Sequence, residues 1–280
     1  MIVVRIYTCT CFSFVSAMPI ISSTFHRVRP LLGTFVAIEA EGGTQAEPAV
    51  AAAFAAVLRV ERLMRPLTAG SDVARISSAA PGETLPIDAW TYAVLERARA
   101  FHGASRGLFD PCRPTQPGRL GDLELLPPDR VVCRAPVALD LGGIAKGFAV
   151  DRAIDELKRH RCTRGIVNAG GDLRWFGTGT HTVVLRRETP HATESLRIEL
   201  AEGALAVSAP RSSASPREHV GYYLGTSGEP ATGRWTAVIA AEATLADALV
   251  KCVMLGTPRD AAELLARYGA RMVQPPVAPG

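Results

Sequence analysis

The chain reads as an α+β protein with a mostly antiparallel sheet and flanking helices. Three observations predict this. Helix-period segments fill the first half and strand-period segments the second, an order that favours an antiparallel sheet over alternating βα units. Neither of the two main glycine turns, Gly142-Gly143 and Gly170-Gly171, fits G-x-G-x-x-G, which argues against a doubly wound dinucleotide fold. The composition is 48% hydrophobic and 21% charged over 280 residues, enough to bury a core. Residues 25–275 read as a single domain, and residues 1–24 as a leader or a mis-assigned start.

Each element has a local cause. Leu31 to Ala40 reads as a strand with a turn or bulge at Gly33-Thr34. Ala46 to Met64 reads as a helix, because Val50, Phe54, Val57 and Leu58 recur at helical spacing, and Pro66 ends it. Ser71-Asp72 caps a short helix through Ile76. A second long helix runs from Pro86 to His102, with Trp90, Val94 and Leu95 inward. Gly103 to Pro128, rich in Pro and Gly, is the candidate hinge, with a strand around Leu123 to Leu126. Val131 to Leu139 reads as a strand, Ile144 to His160 as a helix and Gly165 to Asn168 as a short buried strand. Strands follow at Leu173 to Phe176, Thr182 to Arg186, Ser195 to Leu200 and Ala204 to Val207. Ser208 to Pro216 is a polar loop and Tyr222 to Pro230 a turn region. A strand at Ala237 to Ala240, helices at Ala246 to Leu255 and Arg259 to Tyr268, and a strand at Arg271 to Val273 complete the chain.

Composition excludes several classes. A net charge of +4 without a basic cluster argues against a nucleic-acid partner. The cysteines at 9, 11, 112, 133, 162 and 252 form no C-x-x-C, so neither a zinc site nor a disulfide framework is indicated. Met1 to Ala17 reads either as an export signal ending at Val15-Ser16-Ala17 or as an extension upstream of a start at Met18. The first reading would make the protein periplasmic or membrane-associated, the second cytoplasmic.

The chemistry-bearing residues gather in three places. Asp140-Leu141-Gly142-Gly143-Ile144-Ala145-Lys146-Gly147 joins a strand to a helix, and Asn168-Ala169-Gly170-Gly171-Asp172 follows one helix and one strand later. A glycine turn opening a helix offers backbone N–H groups and the positive end of the helix dipole to a phosphate. The competing reading is an ordinary turn in which Gly supplies positive φ. Lys146 falls in the first helical turn, where a cation is disfavoured by ~0.3–1 kcal/mol unless an anion offsets it. It is one of only three lysines among 31 basic residues. The third place is Thr244-Leu245-Ala246-Asp247-Ala248-Leu249-Val250-Lys251. By spacing, Thr244 and Asp247 read as a capping-box variant, and the alternative for Asp247 is a metal ligand with Lys251 on the same helical face.

Leu139 to Ala153, Val167 to Asp172 and Ala246 to Leu249 together resemble the motifs of the ApbE-type FAD:protein FMN transferases. Weaker echoes lie at Leu32-Gly33-Thr34, Glu61 to Met64 and Phe109-Asp110-Pro111, so the resemblance spans roughly residues 28–274. It implies a two-lobed α+β fold with FAD in the cleft. The implied activity is transfer of FMN from FAD to a Thr or Ser of an acceptor flavoprotein, often a subunit of a membrane redox complex, with release of AMP and use of Mg²⁺. By motif, Asp140, Gly142, Gly143 and Lys146 would line the nucleotide. Asn168, Gly170, Gly171 and Asp172 would shape the cleft. The Ala145 carbonyl and the Asp247 carboxylate would hold Mg²⁺. Asp247 and Lys251 are the candidate catalytic residues, and Lys251 either replaces some of the metal's positive charge or only fills space.

The chain departs from the family pattern at several positions. Val250 and Lys251 stand where a hydroxyl ligand is usual, and Ser77 where an Asn is common. Leu224 to Gly228 replaces an Asp-Pro-Arg-Thr-Gly turn with His219 out of register, and Ser208-Ala209 replaces a Thr-Ser pair. Two alternative functions stay open on this scaffold: a Mg²⁺-dependent FAD pyrophosphatase, and a flavin binder that returns FAD intact.

Overall fold

The computed structural model describes residues 2–6, 24–113, 116–188, 193–208 and 235–273. The N-terminal strand β1 (Ile2–Ile6) is followed by the hairpin β2 (Thr24–Leu31) and β3 (Thr34–Glu41), then α1 (Ala46–Met64) and α2 (Asp72–Ser77). Next come β4 (Thr84–Pro86), α3 (Ala89–Ala104), β5 (Leu123–Leu126), β6 (Arg130–Cys133) and α4 (Ala145–Arg159). The strand-rich part holds β7 (Arg164–Ala169), β8 (Asp172–Phe176), β9 (His181–Glu188), β10 (Thr193–Leu200), β11 (Gly203–Ser208) and β12 (Thr236–Ala240). Two helices, α5 (Ala243–Leu255) and α6 (Pro258–Arg267), and the strand β13 (Arg271–Val273) close the described chain.

The central sheet has seven strands in the order β13-β12-β11-β8-β7-β3-β2, and every neighbouring pair is antiparallel. This is the α+β class with a mostly antiparallel sheet that the sequence predicts. Alternation along each strand feeds two cores. Val167, Ala204, Ala206 and Val238 face the helices, in one cluster with Val57 of α1, Phe148 of α4 and Leu249 of α5. Ile166, Leu173, Trp175, Leu205 and Ala237 face the other way, against Val183 and Leu185 of β9 and Ile198 and Leu200 of β10. The β9–β10 pair, joined at its edge by β1, therefore covers the sheet face that the helices leave bare. A third sheet, β4-β6-β5, packs beside α2 and α3 through Ile76, Leu123 and Val131.

Several elements differ from the sequence reading. The strand predicted over Leu31 to Ala40 is the second arm of a hairpin, because Leu32 and Gly33 both take positive φ (56° and 71°). The Leu32 N–H donates to Oε1 of Glu61 at 3.1 Å, which helps hold a non-glycine residue in that conformation. The first arm, β2, is a largely exposed edge strand with no apolar alternation to read. The strand over Val131 to Leu139 stops at Cys133; Pro136 follows without a ladder donor, and Leu139 regains a bridge to Cys112. Within the candidate hinge, Phe109 and Leu120 are buried in the helix-side core. The polar loop beyond Ser208, the turn at Tyr222 to Pro230, His219 and Leu224 to Gly228 lie outside the described residues.

Candidate functional site

The site forms where α4 starts, beside α5 and the β7–β8 turn. Ala169 and Asp172 pair across a two-residue turn whose glycines, Gly170 and Gly171, take φ of 67° and 107°. Such a turn needs positive φ at both positions. Asn168 secures it by accepting the Gly171 N–H at Oδ1 (3.1 Å). A Cβ at Gly170 would lie 2.4 Å from Oγ1 of Thr34, so the β2–β3 turn packs directly on this one. The turn delivers Asp172, 2% exposed at its side chain, to the start of α4.

The first glycine pair behaves differently. Gly142 and Gly143 open with the 3₁₀ turn Leu141–Gly143 and take no positive φ, so the positive-φ reading does not hold for them. One of the expected free amides is engaged: Gly142 N–H donates to Asp140 Oδ1 at 2.9 Å. Asp140 thus caps the turn, with Arg113 Nε 3.8 Å from its other oxygen.

Sequence reasoning missed Gly147. A Cβ there would lie 2.2 Å from the Ala243 carbonyl oxygen and 2.8 Å from Asp247 Cβ. Only glycine lets α4 and α5 approach this closely. The approach lets the Gly147 N–H donate to Asp247 Oδ2 at 3.0 Å, so a carboxylate of α5 caps the N-terminus of α4. Asp151 returns the service, its oxygens accepting Ala243 N–H at 2.9 Å, Thr244 N–H at 2.8 Å and the Thr244 hydroxyl. Arg174 Nη1 completes Asp151 at 2.8 Å. The capping-box reading of Thr244 and Asp247 is therefore corrected. Helix α5 begins two residues earlier than a Thr244 cap requires, with Glu242 at the N-cap and no side-chain cap of its own.

Two carboxylates and two ammonium groups converge here. Lys146, 31% exposed, donates to Asp172 Oδ2, and its Nζ lies 3.9 Å from Asp247 Oδ1. Lys251, 6% exposed, donates to the same Oδ1 of the fully buried Asp247. Burial alone would raise the Asp247 carboxyl; Lys146, Lys251 and the Gly147 amide outweigh it and hold the group below the usual carboxylate range. Asp172 is pushed up, by burial first and the Asp247 charge second, and its lysine neighbours offset this only in part. Its Oδ1 is buried without a hydrogen-bond partner. The anion that offsets Lys146 in the first turn of α4 is thus supplied by the chain itself. Ser77, at the position where an Asn is common, accepts the Leu139 N–H at 3.1 Å.

The donor set does not match Mg²⁺. That ion keeps several waters and is held by one or two carboxylates with oxygens open to it. Here both Asp247 oxygens already accept, one from an amide and one from an ammonium, and Ala145 lies in the first turn of α4, where helical carbonyls accept from the following turn. Among the described residues no group of three His, Cys, Asp or Glu side chains could hold a metal.

The order of the two glycine turns and the α5 acid, now joined in one site, is that of a known family. Its sequence profile, the ApbE family, matches residues 32–115 and 119–273. The chain belongs to the ApbE family. Solved ApbE structures share its fold. The flavin transferase ApbE of Vibrio cholerae matches with a TM-score of 0.76 and 19% identity over 89% of this chain and 92% of that one. The apo flavinyl transferase ApbE of Pseudomonas stutzeri matches with a TM-score of 0.73 and 19% identity over 89% and 90%. The ApbE protein of Thermotoga maritima reaches a TM-score of 0.76 and 26% identity over 89% and 93%. No match was found among curated proteins.

Proposed function

We propose that this protein is an FAD:protein FMN transferase. FAD is the donor, and the acceptor is a Thr or Ser of a flavoprotein, such as a subunit of a membrane redox complex. The observation that carries the reading is the convergence of Lys146, Asp172, Asp247 and Lys251 beside the two glycine turns of an ApbE-family chain. Similarity to proteins described as flavin transferases supports it.

The reaction needs charge control at a diphosphate. The acceptor oxygen forms a bond to the FMN phosphorus, and the P–O bond to AMP breaks with its electron pair staying on AMP. The hydroxyl proton is released to solvent. Little covalent chemistry is asked of the protein, so positioning and electrostatics dominate. Lys146, the most exposed of the four, would meet the diphosphate, while Asp247 fixes both lysines and the start of α4. Asp140, Gly142 and Gly143 would line the nucleotide, and Asn168 to Asp172 would form the floor. Mg²⁺ at Asp247 and Ala145 is what the family resemblance implies, and the donor set does not fit it.

The test is AMP release from FAD, with and without a Thr-bearing acceptor domain, followed by chromatography and by in-gel flavin fluorescence of the acceptor. Acceptor-dependent AMP with covalent fluorescence is the expected result, and Asp247→Asn should lower the rate by about 100-fold or more. AMP without any requirement for acceptor would reassign the protein as an FAD pyrophosphatase. FAD returned intact in both arms would make it a flavin binder.

A further inference from the structure

We propose that the Lys251 ammonium is the resident cation of this site, so that the protein neither binds nor requires a divalent metal at Asp247. The inference rests on the FAD-cleaving reading of the same residues and specifies its electrostatics.

Three observations carry it. Lys251 stands one helical turn after Asp247 on α5, and its ammonium donates to Asp247 Oδ1 inside the protein, with 6% of the side chain exposed. An oxygen-seeking dication at that atom would sit within a few ångströms of this ammonium and of Lys146, whose Nζ is 3.9 Å from the same oxygen. Among the described residues the charges at this point balance, since the ammonium groups of Lys146 and Lys251 face the carboxylates of Asp172 and Asp247. A dication would leave that buried group with an excess positive charge. Finally, a chain that uses Arg for nearly all of its 31 basic residues sets two of its three lysines here. A planar guanidinium with five fixed donors cannot replace a compact ion, whereas an ammonium is a point charge with three rotatable donors.

Lys251 is then a positioning residue. It neutralises Asp247 and keeps the carboxylate aimed at the Gly147 amide, leaving Lys146 as the charge that reaches the substrate. AMP then leaves against fixed lysine charge.

The experiment uses the full chain and two readouts. Mn²⁺ binding is followed by electron paramagnetic resonance, and AMP release from FAD with acceptor is followed in excess chelator or in excess Mg²⁺. For the wild type we expect no Mn²⁺ bound and AMP rates equal within about twofold in the two media. Lys251→Thr, checked for folding by circular dichroism, should bind one Mn²⁺ that Mg²⁺ displaces, and should lose about tenfold or more of its rate in chelator. Lys251→Ser serves if the Thr variant does not fold. Mn²⁺ bound by the wild type, a wild-type rate that collapses in chelator, or a folded Lys251 variant that still binds no metal would each overturn the inference. Should the wild type release no AMP in either medium, the transferase reading fails, and the Mn²⁺ comparison still decides the cation question.

Discussion

Gly147 shows how a single missing methyl builds a site. Its amide reaches Asp247 only because no Cβ stands between α4 and the Ala243 carbonyl. Gly147→Ala should therefore force the helices apart and cost about 1–3 kcal/mol, read as a lower urea midpoint, together with loss of AMP release. Gly143→Ala is the internal control. Its Cβ would meet only the Phe109 ring at 3.5 Å, an ordinary contact, and its φ is not positive, so the urea midpoint should hardly move. If the two variants unfold alike, close approach of the helices is not what Gly147 provides.

At the scale of elements, α4 and α5 cap each other, and each cap is a buried aspartate from the opposite helix. Removing Asp151 would leave two α5 amides, the Thr244 hydroxyl and Arg174 without their acceptor. Asp151→Ala should cost about 3 kcal/mol, seen in thermal unfolding, as expected for breaking a buried hydrogen-bonded ion pair. Strand β9 carries a pH-sensitive element of a different kind. His181 is buried and stacked on Trp175 at 4.9 Å between centroids. Burial first and then Arg164 lower its pKa from 6.5, against a raising effect of Glu199. The folded state thus binds this proton less readily than the unfolded chain. The stability contribution is complete above about pH 6.5 and is lost as pH falls toward the folded value. Melting temperature should fall on acidification through that window, and His181→Phe should remove that component. An unchanged pH profile in the variant would show that His181 is not the sensor.

For the whole molecule, the two cores meet across one seven-stranded sheet, with helices on one side and the β9–β10 pair on the other. β1 touches this arrangement at one edge, pairing with β9 from Ile2↔Arg187 to Ile6↔Val183. The reading of residues 25–275 as the folding domain makes a direct prediction. A chain lacking residues 1–23 should fold with the same circular dichroism and melt within about 5 °C of the full chain. A truncated chain that fails to fold would make β1 an integral strand of the small sheet.

The sequence by itself determined the class of fold, because the shift from helix-period to strand-period segments is written in residue order and needs no long-range contact to be read. It also determined the family, since Asp140 to Gly147, Asn168 to Asp172 and Ala246 to Leu249 stand in a recognisable order, and it singled out Lys146, Asp172, Asp247 and Lys251. It could not say what these residues do to one another. Spacing alone made Asp247 a cap for its own helix, since Thr244 lies three residues before it, whereas the structure turns the carboxylate toward Gly147, one hundred residues away in sequence. Spacing made Gly142 and Gly143 the conformationally special pair, whereas Gly147, Gly170 and Gly171 bear the close approach and the positive φ. Edge strand β2, with its exposed faces, left no periodic signal. Only the tertiary structure decided that a second ammonium faces the Asp247 carboxylate: Lys251 reaches Oδ1 along its own helix, but the packing of α4 against α5 brings Lys146 within 3.9 Å of the same oxygen and seals that oxygen from water.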